Sequence, residues 1–169
     1  VAAYHRSRAI LLSLSHDESR ALMHHRLAVD RLNELGDRFL LAKEYLSLGQ
    51  GYVEAGELDI GEYVFEKARA LVEALDNERL SGLLASRQGL LALARFDLEA
   101  ARAHFERDLE TASAAGLRHA AAHARRNVGR VRVLLDERAS GLSLLSRARS
   151  ELLALHDRAN AHAAELDEL

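Results

Sequence analysis

The sequence predicts an all-α solenoid of four antiparallel helix pairs closed by a C-terminal capping helix, and three observations predict it. The first is a register of forty residues. Gly49 aligns with Ala9, Gly89 and Gly129; Gly61 with Ala21, Ala101 and Gly141; Phe65 with His25, Phe105 and Leu145; Ala68 with Ala28, Asp108 and Ala148. A fixed period of this size denotes stacked supersecondary units that each touch their neighbours. The second is composition: 49% of residues are hydrophobic, only four Tyr and four Phe are aromatic, and there is no proline anywhere. Ala and Leu supply most of the rest, which favours helix throughout. The third is punctuation, with acids at Asp17, Glu57, Asp97 and Glu137 and glycines at Gly36, Gly56 and Gly116.

The elements follow in order. A first helix is expected from about Ala2 to Leu14, stopping at Ser15-His16-Asp17. Asp17 and its column mates fall where the second helix of each pair begins, where a carboxylate can accept orphan N–H groups and offset the helix dipole. The second helix reaches about Leu35 and ends at Gly36, a residue suited to a left-handed cap, and Asp37 can cap the helix after it. Later pairs turn near Gly56, Phe96 and Asp136 and close at Leu75-Asp76-Asn77, Ala115-Gly116-Leu117 and Leu155-His156-Asp157. The repeats are therefore about 2–36, 37–76, 77–116 and 117–156, with a capping helix over 157–169, in one domain spanning 1–169. Gly or Ala at the crossing positions lets paired helices approach until Phe65 and its equivalents fill the space, so a Leu at Gly89 is expected to overpack the crossing.

Composition also excludes function classes. The formal charge is −3, which gives no reason to expect an anionic membrane or nucleic acid. The absence of cysteine removes disulfides and thiolate chemistry and fits a reducing compartment. No apolar run reaches the 18 or so residues of a membrane span, and VAAYHRSRAI lacks the core of a signal peptide, so a cytoplasmic protein is expected. The chain begins with Val1 and not Met, which reads as an excerpt of a longer protein.

The run Tyr45, Leu48, Gly49, Tyr52, Gly56, Gly61, Phe65 and Ala68 resembles the tetratricopeptide repeat, a helix-turn-helix unit with that order of small and bulky positions. The usual repeat is about 34 residues. The longer period here is similar to a variant found in bacterial signalling and transcription regulators, whose linkers read like Leu35-Gly36-Asp37-Arg38. The resemblance implies a right-handed superhelix with the first helices of successive pairs lining a concave groove for a peptide or partner helix. Carried over by position, the groove is Arg6, Ile10 and Ser13; Lys43, Leu46, Gln50 and Glu54; Ser86, Leu90 and Leu93; and His123, Arg126, Arg130 and Val133. Apolar centres with mainly basic heads suit a protein or peptide partner carrying acidic and apolar residues. The clamp that some relatives use for a terminal carboxylate is not matched, because Leu46 and Gln50 stand where Lys and Asn are needed.

Charge is segregated along the chain. Glu54 to Glu78 carries eight acids and two bases, and Arg118 to Arg149 carries eight Arg against two acids, Asp136 and Glu137. Basic runs can bind phosphate, but every aromatic lies before Glu106, so no base-stacking residue accompanies this one, and nucleic acid is not the expected partner. Opposite charges toward the two ends leave homo-oligomerisation open. Nine histidines include His119 and His123 four apart and the adjacent His24 and His25, yet neither set brings the further ligands zinc requires. No metal, cofactor, nucleophile elbow or phosphate loop is expected, and His25 reads as a partly buried packing residue. The expectation is a non-catalytic interaction or regulatory module of a larger bacterial signalling protein. A ligand-sensing domain and a structural oligomerisation segment are the alternatives.

Overall fold

The left-handed backbone conformation recurs every twenty residues: Gly36 (φ +70°), Gly56 (+80°), Asp76 (+46°), Phe96 (+59°), Gly116 (+66°) and Asp136 (+64°). Each ends a helix. At four of these joints the next amide reaches back five residues to an otherwise orphaned carbonyl: Glu57 to Tyr52, Asp97 to Ala92, Leu117 to Ala112 and Glu137 to Arg132, at 2.8–2.9 Å. The computed structural model describes residues 1–14 and 17–155, and of Ser13 and Leu14 only the backbone. Those residues form α1 (Ala2–Leu14), α2 (Glu18–Leu35), α3 (Arg38–Glu54), α4 (Leu58–Leu75), α5 (Glu78–Ala94), α6 (Leu98–Ala114), α7 (Arg118–Leu134) and α8 (Arg138–Ala154). The expected capping helix over 157–169 lies outside the described residues.

Helix starts divide by side-chain length. Asp17, Asp37, Asn77 and Asp97 each accept a hydrogen bond from the amide three residues on, at 3.0–3.3 Å. Glu57 and Glu137 make no such bond, which corrects the expectation that the whole acidic column caps. One extra methylene takes the carboxylate beyond its own helix, and Glu137 meets Arg102 at 3.0 Å instead.

The chain packs as two compact units, Val1–Leu80 and Ser81–Leu169. In the first, α1 packs on α2, α2 on α3 and α3 on α4, around Val29, Leu32, Leu41, Leu48, Tyr52 and Val64. In the second, Ala101, Phe105, Val128 and Val131 form the main cluster, and Ala122 meets Leu152. The small columns set the helix spacing in both. A Cβ on Gly49 would lie 2.4 Å from the Phe65 ring, one on Gly89 2.5 Å from Phe105, and one on Gly129 2.9 Å from Leu145. Where His25 replaces the Phe, Ala9 takes the glycine's place and is fully buried.

Candidate functional site

Each unit buries a carboxylate, and the two are held differently. Glu44 on α3 is 2% exposed. Arg6 Nε on α1 donates to its Oε2 at 2.8 Å, and His25 Nδ1 on α2 donates to its Oε1 at 2.7 Å. Three helices are thereby tied through one side chain. In the second unit Asp108 on α6 is 7% exposed. Burial pushes its carboxyl up to about 6, offset in part by the Ser86 hydroxyl bonded to it and by the Arg87 charge. His25, expected to be partly buried packing, is a buried hydrogen-bonding residue.

Beside the Glu44 cluster, His5 Nδ1 and His24 Nδ1 lie 3.0 Å apart, with the Tyr4 ring edge-on to both. Desolvation and then the His5, Arg8 and His25 charges lower His24 from the ordinary histidine value. Among the described residues no three of His, Asp and Glu converge as metal ligands do.

The residues expected to line a groove have divergent settings. Arg6 is committed to Glu44. Leu46 is 1% exposed and offers no surface to a partner, which corrects its assignment as an apolar contact. The reason is its stripe: Ala42, Leu46 and Gly49 fall at i, i+4 and i+7, and all three are buried. Lys43 lies over the Phe39 ring at 5.9 Å, and Gln50 donates to Glu54 at 2.5 Å. Ile10 is 55% exposed.

In the second unit Ser86 is bonded to Asp108, while Leu90 and Leu93 pack partly buried against the core cluster. His123, Arg126 and Arg130 are half-buried and lie at i, i+3 and i+7 on one face of α7, with His119 one turn earlier at 4.6 Å from His123. No carboxylate occurs within α7. The flanking arginines turn to neighbouring helices: Arg125 to Glu151 on α8, and Arg132 to Glu106 on α6 at 2.9 Å. Much of the basic run is thus an intramolecular ion-pair face.

Two features escaped the sequence reading. A cleft of about 200 Å³ opens where α6 ends, α7 begins and α8 ends, with Ala112, Ala121 and Leu155 beside Arg118, Arg125 and Glu151. Phe96, at the tip of the α5–α6 turn, is 86% exposed in a left-handed conformation. A phenylalanine in a turn column otherwise held by His16, Gly56 and Asp136 was the available signal for the second.

The geometry defines an all-α protein of stacked helix pairs, and no helix among the described residues is long and apolar enough to cross a membrane. No protein-family profile matches the chain and no curated protein matches its sequence. Among solved structures it is similar to BtubC (BKLC) from P. vanneervenii, with a TM-score of 0.72 and 19% identity over 92% of this chain. The match covers 64% of that chain, so this one spans just under two thirds of its length, and the likeness is one of fold.

Proposed function

We propose that the chain is a non-catalytic interaction module of the tetratricopeptide type, a regulatory part of a larger bacterial cytoplasmic protein, that binds a protein segment bearing acidic and apolar residues. The observation that carries this reading is the face of α7, where His123, Arg126 and Arg130 line up half-buried at i, i+3 and i+7. Arg guanidinium groups recognise carboxylates bidentately, and partly desolvated charges fix orientation and partner choice. Leu90 and Leu93 on α5 give the same unit an apolar margin. The tetratricopeptide resemblance of the small and bulky columns supports a binding role over a catalytic one.

The test is a peptide array of acidic-apolar sequences probed with the wild-type chain and with the Arg126→Glu, Arg130→Glu double variant, helix content being checked by circular dichroism. Binding should fall more than tenfold while helicity is kept. Equal binding by both proteins would remove α7 as the recognition face.

A further inference from the structure

Phe96 is a costly choice for its place. A left-handed φ of +59° is disfavoured for any residue with a Cβ, and only Asp, Asn and Gly adopt it readily. The other five left-handed joints among the described residues are Gly or Asp. Phe96 has neither excuse, and its ring is 86% exposed, so packing within the chain does not account for it. Strain held at an exposed aromatic points to a use outside the chain.

The second unit also carries a receptor of matching character. The cleft at the far end of α6 has a volume of about 200 Å³, and a cavity of about 150 Å³ already admits benzene. Ala112, Ala121 and Leu155 give it apolar wall. Arg125 is neutralised by Glu151, while Arg118 stands at the first position of α7, whose N-terminus has no side-chain cap. That wall presents positive charge, which suits the face of an aromatic ring.

Ring and cleft cannot meet within one molecule. The 17 residues of α6 separate them by about 25 Å, at 1.5 Å per residue. We propose that Phe96 of one copy seats in the α6–α7–α8 cleft of a second copy. The pair then keeps one free cleft on the first copy and one free ring on the second, so the contact is heterologous and propagates head to tail. The turn supplies a single anchoring aromatic and the cleft its pocket, the arrangement in which one residue dominates an interface.

Sedimentation velocity over a rising concentration series of the full chain tests this. Wild type should shift from its 18.7 kDa monomer to a broadening series of larger species. Two variants should stay monomeric: Phe96→Gly, which removes the ring and relieves the backbone, and Ser113→Trp, which fills the cleft from an exposed position on α6. An equimolar mixture of the two is decisive, because one brings an open cleft and the other a ring. It should form dimers and nothing larger. A wild type that stays monomeric, a Phe96→Gly variant that associates like wild type, or a mixture that fails to dimerise would each overturn the proposal.

Discussion

Among the described residues the two units bury one acid each and resolve the burial in opposite ways. In Val1–Leu80 the Glu44 carboxylate receives N–H groups from Arg6 and His25, one on each oxygen. In Ser81–Leu169 the Asp108 carboxylate receives the Ser86 hydroxyl and senses Arg87, and burial still raises it to about 6. The repeat register explains the contrast. Glu44 has Leu84 and Ala124 as its later equivalents, while Asp108 stands where Ala28, Ala68 and Ala148 stand. A shared backbone plan therefore fixes where a side chain is buried but not what burial costs, since that depends on which donors the neighbouring helices bring.

The largest expected effect breaks the comparison at its stronger end. Removing one partner of a buried ion pair leaves the others uncompensated, so Glu44→Ala should lower unfolding free energy by about 3–5 kcal/mol in urea titration. A loss below 1 kcal/mol would mean that the Arg6–Glu44–His25 cluster is incidental. Asp108→Asn should act in the opposite direction. The folded carboxyl titrates near 6 and the unfolded one near 3.8, so between those values the folded state holds a proton that the unfolded state releases. Stability therefore falls as pH rises through that window. The variant lacks this fall and should gain about 1–3 kcal/mol above pH 7, with no gain below pH 4. A variant that gained equally at both ends of the range would place the effect elsewhere than in titration.

The smaller effects sharpen what the units share. Gly49→Ala drives a methyl into the Phe65 ring and should cost about 1–3 kcal/mol. Ala9→Gly, at the equivalent column position, introduces no clash and should cost only about 0.5–1 kcal/mol through backbone entropy. Paired urea midpoints would separate them, and equal losses would refute the coupling of glycine to phenylalanine across these columns.

Most of the fold was legible because it is written in columns. Gly49, Gly89 and Gly129 recur where paired helices cross, and Asp17 and Asp97 recur where second helices start; a pattern repeated at fixed spacing averages out local ambiguity. Glu57 and Glu137 were misread because charge at a helix start is visible in sequence whereas the reach of the side chain is not. The candidate site was less legible. Leu46 looked like groove surface because family position was carried over, yet α3 packs against both α2 and α4, so apolar residues on more than one of its faces are buried. Arg6 looked free because its partner Glu44 lies 38 residues away. Asp108 stood visibly in an alanine column, and only burial revealed what that means.

The central claim is that the α7 face reads acidic side chains, and a charge exchange measured by fluorescence anisotropy tests it most directly. An acidic-apolar peptide selected by the wild type is titrated against wild type and against the Arg126→Glu, Arg130→Glu variant, then resynthesised with Lys for each acid and titrated again. The account predicts that the variant loses the acidic peptide by more than tenfold and recovers affinity for the basic one. A variant that keeps the acidic peptide, or that binds neither form despite intact helicity, would contradict recognition through this face.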